Sequence, residues 1–518
     1  MNLENIEDIY SLSPLQKGML FQTLFDENPW VYFQQLSLRL RSRLDVDAFT
    51  RAWQQVVART PALRTSFEWN DLDAPLQIVH RCVEMPCEYE DWSHLSPSEQ
   101  ERSAVLYAEA DRRRAFDLTA PPLMRLRLFR LGADEYEFIW SYHHILLDGW
   151  SLPLVLGDAF ACYEALARGR EWSAPQRRSF ADHVGWLQTR DEAAAKEFWS
   201  DALAGFTAPT SLPLERTRGG QNAAPDEQFA VEELALAPEA TAGLNVLARQ
   251  CQVTLNTIIQ GAWALLLGSY SGVSDVIYGT TVSGRPPELT GVETMVGLFI
   301  NTLPVRARLD AHEPLFSWLK DFQRHLVEMR QFEYISLAEI QKWSAAPAGV
   351  PLFESLLVFE NYPVPDAGAN SEKLIRISGM NFFEQGNYPL TLSVGPGATL
   401  ALRCTYDARR FEPAAGRQLL DHLAAALSSM ASDPHQRLGD INILSTAERQ
   451  RILVEWGEGG RSGAPDTTID ALFAQHVASR PDSPALVCAD SHLSYAALDR
   501  SANRCARLLL AHHLSPDT

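Results

Sequence analysis

The sequence predicts a mixed α/β protein with two lobes of similar size and a short third unit. Three observations lead there. Segments of period two alternate with segments of period 3.6, and this succession of strands and helices occurs twice, over residues 1–178 and 179–439. A glycine-rich run, GEGGRSGAP, lies in a linker at 440–466, and a fresh helix–strand–helix pattern begins at 467–518. At 518 residues the chain is too long for one ordinary core.

In the first lobe, Ser13 before Pro14 reads as an N-cap with proline at the first helical position. Residues 31–40 alternate as a strand. Residues 46–58 form a helix with Phe49, Trp53, Val56 and Val57 on its apolar face. Residues 63–69 read as a strand containing Arg64, which needs a carboxylate partner if buried and none on a solvated face. A charged helix at 99–114 is followed by the Pro121-Pro122 break and a strand at 123–131.

The chain is organised around YEFIWSYHHILLDGW, residues 136–150. An apolar strand runs into His143 and His144, and a loop with Asp148 and Gly149 leaves it. Neighbouring side chains on a strand point to opposite faces, so at most one histidine faces any given cavity. Two readings are open on these residues alone. One is a satisfied core histidine beside an Asp-Gly turn. The other is a neutral imidazole placed as a general base. An apolar helix follows at 151–167.

After a polar connection at 168–178, residues 180–203 read as helix and 207–226 as loop. A strand at 229–236 precedes two helices within 238–270, the second apolar enough to lie at the centre of a core. Strands are expected at 276–282, 302–308, 356–359, 374–379, 390–394 and 399–406, with helices at 314–330 and 413–432. No sequence repeat relates the halves. The cleft between two lobes is the expected place for a substrate.

Composition excludes several functions. With 45 basic against 65 acidic residues the net charge is −20, which repels nucleic acid and anionic membrane. Seven scattered cysteines without CxxC or Cys/His spacing argue against a metal site or a disulfide framework and fit a reducing cytoplasm. The polar, acidic N-terminus is no signal peptide, and no stretch reaches membrane-spanning length.

The stretch SYHHILLDGWS resembles the HHxxxDG signature of condensation domains in nonribosomal peptide synthetases. Further motifs of that family match in order. They are LSPLQKGMLF (12–21), RTPALRTSF (59–67), a loose SFADHVGW (179–186), MVGLFINTLPVR (295–306), RQFEYISL (330–337) and LFESLLVFENYP (352–363). The tail, TTIDALFAQHVASRPDSPALV, is similar to the beginning of an adenylation domain whose nucleotide-binding motifs lie beyond residue 518.

The resemblance implies two chloramphenicol-acetyltransferase-like lobes in a V with a central tunnel. An acyl thioester donor enters one mouth, and an aminoacyl thioester on an acceptor carrier domain enters the other. The segment itself binds no cofactor or metal; 4'-phosphopantetheine comes with the carrier domains, and acyl-CoA is a possible donor. His144 is expected to hold the attacking amine as base or positioner. Gly149 would leave room for the thioester and offer its N–H to a developing oxyanion. His143, Asp148 and Arg64 would support the site, with Asp148 paired to Arg64. Trp150, Ser151, Asn301 and Tyr388 would line the substrate and pantetheine tunnel; strand-end hydrogen bonding for Asn301 and core packing for Tyr388 are the plainer alternatives. The 283–302 segment would cross between the lobes.

The expected reaction is amide formation by a monomeric cytoplasmic domain. The histidine pair argues against a heterocyclization domain, and adenylation-like sequence after the domain argues against an epimerization domain. A non-catalytic carrier-protein recruitment module is the rival of another class. A chain beginning at Met1 favours a starter reaction, N-acylation of the first amino acid from a fatty acyl thioester. The alternative is a D-aminoacyl or peptidyl donor delivered in trans, with residues 2–11 helping it dock.

Overall fold

The computed structural model describes residues 3–25, 31–212, 229–347, 349–361, 374–456, 467–488 and 491–512. The GEGGRSGAP run and most of the 207–226 loop lie outside them. The chain divides into two compact units, Met1–Leu444 and Ser445–Thr518.

A five-stranded sheet forms the first lobe, in the order Arg376–Glu384, Phe33–Arg41, Glu135–His143, Met124–Arg130, Cys87–Asp91. Alternation sorts its side chains by face. Leu36, Leu38 and Leu40 lie on one face with Phe138 and Trp140, and all five are buried. Helix Val46–Arg59 covers that face, with Asp45 capping its first turn by accepting from the Ala48 N–H. Trp53 packs edge-on against Trp140 at 5.1 Å between ring centroids and lies 5.6 Å from Phe138. Burying each such ring contributes roughly 2–3 kcal/mol, which is what fixes the register of the histidine strand.

The strand expected at 374–379 is displaced in both extent and place. It runs over Arg376–Glu384 and pairs antiparallel with Phe33–Arg41, at the edge of the first lobe's sheet. A register shift between Ile377 and Gly379 breaks its alternation, which is why its length and face were illegible in sequence. Residues 179–439 therefore contribute a strand to the first lobe as well as building the second.

The second lobe is a six-stranded mixed sheet in the order Asn301–Arg308, Asp275–Val282, Ser355–Phe359, Leu390–Gly395, Ala401–Asp407, Phe229–Ala235. Helix Leu255–Ser271 is buried in its core through Ile258, Ile259, Trp263 and Leu266, as its apolar pattern predicts. The helix expected at 180–203 is two helices, Phe180–Leu187 and Glu192–Ala202. Asp191 caps the second by accepting from Ala193 and Ala194. A third, three-stranded sheet joins Ile6–Ser11, Leu76–His80 and Thr65–Glu68.

The 283–300 connection crosses to the first lobe, where Val296 and Leu298 are buried in its core. It turns at Gly284, whose φ of +58° is left-handed and whose position would force any side chain into the Phe299 carbonyl. The second unit contains helices Ile469–Ser479 and Tyr495–Ala511 beside a hairpin of Pro484–Cys488 and Ser491–Ser494. Among the described residues no helix is long and apolar enough to cross a membrane.

Candidate active site

The site begins where the core face of the first sheet runs out of leucines. Toward the strand ends that face passes from Leu36 to Gln34 and from Trp140 to Tyr142, and His144 continues the parity into the loop. These three residues line a cavity of about 580 Å³ with Gly149 and Trp150. Thr280, Thr281 and Ser283 of the second lobe form part of its wall.

The two histidines have opposite environments. His143 is fully buried, and burial, reinforced by the neighbouring His144, holds its pKa down at about 3. Its Nδ1 accepts from the Ile145 N–H at 3.2 Å, so Nε2 carries the proton and faces the Thr23 hydroxyl at 3.4 Å. His143 is thus a neutral structural group. His144 Nδ1 lies 2.7 Å from the Leu147 carbonyl oxygen. A carbonyl only accepts, so Nδ1 bears hydrogen, and Nε2 is the ring nitrogen turned to the cavity beside Glu384. The His144 N–H donates to the Tyr32 carbonyl at 2.8 Å, fixing the ring's base.

Asp148 is buried, and its carboxylate is fully engaged. Oδ1 accepts from the Ser151 N–H and hydroxyl at 2.8 and 2.7 Å, and Oδ2 accepts from the Phe299 N–H at 3.1 Å. The guanidinium of Arg285 donates to both oxygens, at 3.1 and 3.2 Å. Arg285 also donates to the Val292 and Met295 carbonyls and lies 3.9 Å above the Phe299 ring. The Asp148 N–H donates to the Gly297 carbonyl. The loop after the histidine strand is therefore pinned to the 283–300 connection through one buried ion pair. Beside it, His183 is held down at about 4 by burial and then by the Arg285 charge.

The expected Asp148–Arg64 pair does not form. Arg64 ends a short 3-10 turn ahead of the strand Thr65–Glu68, rather than sitting within it. Its guanidinium donates to Glu7 at 2.7 Å and to the Val57 carbonyl at 3.1 Å, and it also reaches the His80 carbonyl. A buried guanidinium takes the nearest carboxylate and carbonyls, and these tie down the three-stranded sheet rather than the histidine loop.

The expected tunnel residues divide. Trp150 borders the cavity, its indole N–H donating to the Glu293 carbonyl at 2.9 Å. Ser151 is fully buried and holds Asp148 and Gly297. Asn301 borders a smaller pocket beside His183 and Glu333. Its amide donates to the Glu333 and Ile335 carbonyls and accepts from the Thr302 N–H, so it serves the strand end. Tyr388 stacks on Phe353 at 5.5 Å, and burial drives its hydroxyl pKa upward; it packs rather than faces the cavity.

Residues absent from the sequence reading complete the site: Arg285, Gln34 and Glu384. The Glu384 Oε1 stands 3.6 Å from His144 Nε2. Among the described residues no cluster of His, Cys, Asp and Glu could hold a metal ion.

Comparison with known proteins identifies the family. The Condensation domain family matches residues 6–453. One protein of the linear gramicidin synthase of Brevibacillus parabrevis is 44% identical over 513 residues, covering 99% of this chain and 7% of that protein. A second protein of the same synthase is 43% identical over 512 residues, covering 99% of this chain and 10% of that protein. The chain thus spans a tenth or less of these relatives' length. Among solved structures, a holo four-domain nonribosomal peptide synthetase bound to AMP and glycine aligns with a TM-score of 0.73 at 20% identity, covering 98% of this chain and 39% of that one. The X-domain from teicoplanin biosynthesis aligns with a TM-score of 0.71 at 25% identity, covering 84% of this chain and 97% of that one. The lobes have the chloramphenicol-acetyltransferase-like fold of these relatives, and the chain belongs to the condensation-domain family, the amide-forming acyltransferases of nonribosomal peptide synthetases.

Proposed function

We propose that the cavity beside His144 joins an acyl thioester to the amine of an aminoacyl thioester. The observation that carries this reading is the His144 tautomer. With Nδ1 committed to the Leu147 carbonyl, the neutral imidazole keeps its lone pair on Nε2, at the cavity wall. It can hold an amine N–H toward a bound carbonyl, and orientation is the larger part of what a nucleophilic amine needs. Gly149, in the same wall, leaves space for the thioester and offers its N–H to the oxyanion. The thioesters arrive on the phosphopantetheine arms of carrier domains, in the cytoplasm, and residues 467–518 begin an adenylation domain.

For the donor we propose an aminoacyl or peptidyl thioester delivered on a carrier, in place of the fatty acyl donor expected from sequence. The cavity lining mixes hydrogen-bonding groups such as Thr254, Asn256 and Gln260 with apolar Leu255, Ile300 and Phe359. The polar groups among them can meet the amides of an aminoacyl or peptidyl donor. The 44%-identical relative belongs to a linear gramicidin synthase, which fits a peptidyl donor. The test offers octanoyl-CoA and a D-aminoacyl carrier thioester together, with one aminoacyl acceptor, and reads the products by mass spectrometry. A dominant dipeptidyl product is expected; a dominant N-acyl amino acid restores the starter reading.

The rival reading is a recruitment module. A solved X-domain of this fold is in complex with OxyB. The placement of His144 Nε2 at an open cavity favours the enzyme.

A further inference from the structure

The last residue of the crossing strand, Glu384, has no role in the reaction outlined so far. Gln34 pairs with Tyr142 on one neighbouring strand and with Glu384 on the other. Residues directly opposite in antiparallel strands project to the same face with Cβ atoms about 5 Å apart. Gln34, Tyr142, His144 and Glu384 accordingly all line the cavity.

Two features of this row are incomplete. His144 Nε2 and Glu384 Oε1 stand 3.6 Å apart. In the neutral ring, with its proton on Nδ1, they are two acceptors with no hydrogen between them. Gln34 is 1% exposed, and its Nε2 has no partner among the described residues. A buried amide N–H without an acceptor costs about 1–3 kcal/mol. A cation with several N–H donors and a nearby carbonyl oxygen satisfies both features. An α-ammonium on an aminoacyl thioester is such a group.

We propose that Glu384 binds the α-ammonium of the acceptor beside His144 and takes its first proton, making a cationic amine a requirement for entry at this position. The inference rests on the proposed condensation. One ammonium proton passes to the Glu384 carboxylate and leaves an amine with a free lone pair. That pair forms the C–N bond at the donor carbonyl carbon while His144 Nε2 receives the next N–H proton. The C–S bond breaks with its electrons on sulfur, and the His144 proton passes to the thiolate. The products are an amide and a thiol, with Glu384 returning one proton to solvent. Gln34 Nε2 donates to a carbonyl oxygen of the bound acceptor.

The other charged groups on the cavity wall do not duplicate this function. Asp148 is closed by Arg285, and Arg330 of helix Leu315–Arg330 lies 3.5 Å from Glu333. Glu360 lies on the second lobe's wall, after strand Ser355–Phe359. His143 faces the other side of the sheet, beside Thr23.

The test compares Glu384→Gln with wild type across pH, using an aminoacyl thioester acceptor and a competitor that lacks the amine. At pH 6.5 the variant's KM for the acceptor rises about tenfold, the loss of one charge-assisted hydrogen bond. The defect shrinks above the acceptor's amine pKa, near about 8, because the neutral amine no longer needs the carboxylate. The competitor's inhibition constant stays the same in both proteins. A KM ratio that is flat with pH, or a competitor weakened as much as the acceptor, overturns the inference. If wild type makes no amide, the condensation reading fails separately. Calorimetric binding of an aminoacyl-pantetheine amide to the two proteins then still decides whether Glu384 holds the ammonium.

Discussion

Replacing Arg285 with alanine removes the cation from a carboxylate that has no access to water. Asp148 is 0% exposed and receives both its charge compensation and two of its hydrogen bonds from Arg285. Removing one partner of a buried pair costs about 3–5 kcal/mol, because the other charge is left uncompensated. Arg285→Ala is therefore expected to lower the unfolding free energy by about that amount, measured by urea denaturation followed by tryptophan fluorescence. Asp148→Ala combined with Arg285→Ala removes both charges, and the double variant should be destabilised by less than the sum of the two. The coupling in that cycle is expected to exceed about 1.5 kcal/mol. The same cycle for Asp148 and Arg64 should give under about 0.5 kcal/mol, as for sites with no shared partner. Arg64→Ala should still destabilise, by freeing Glu7 in the three-stranded sheet and the Val57 carbonyl of helix Val46–Arg59. A strong Asp148–Arg64 coupling with a weak Asp148–Arg285 coupling would refute this account of how the histidine loop is held.

Asn301→Ala should cost about 1–3 kcal/mol of stability, since the buried Ile335 carbonyl and the part-buried Glu333 carbonyl lose their donor. It should leave the KM of both thioesters unchanged once the protein is folded; a selective rise in KM would return Asn301 to the substrate path. Acid stability provides a second check. His143 and His183 have folded-state pKa values of about 3 and 4, below the ordinary value of 6.5. The unfolded chain binds more protons between these values, so the stability these histidines contribute is complete above about pH 6.5 and is lost as pH falls toward 3. Each pH unit of that window is worth about 1.4 kcal/mol per histidine. His143→Gln, if it folds, should flatten the dependence; an unchanged slope would show that His143 is not buried neutral.

The histidine strand was legible because its chemistry is local. An apolar run of period two fixes the strand, and parity alone says that His143 and His144 cannot share a face. The cavity-facing member followed from the motif. The partner of Asp148 was not legible, since the contact with Arg285 spans 137 positions and the charge pattern of the chain names no pairing. Arg64 was a reasonable candidate for burial, and it is buried, but against Glu7. The Arg376–Glu384 strand was anticipated only in its first residues, at 374–379, for a different reason. A register shift interrupts its alternation, and most of its side chains are exposed, so neither periodicity nor apolarity carried the strand on to Glu384. The carboxylate of Glu384 faces His144. Gln34 was read only as part of an alternating strand, because an unpaired buried amide is a property of the folded state.

The central claim is that His144 Nε2 holds the attacking amine at the cavity wall. Its most direct measurement is turnover of an acyl thioester with an aminoacyl thioester, in wild type against His144→Ala, alongside His143→Gln. Loss of one positioned acid–base group costs about 100-fold or more in rate. His144→Ala is therefore expected to abolish most amide formation while its melting temperature and its affinity for a donor thioester stay close to wild type. Equal amide yields from His144→Ala and wild type would contradict the account.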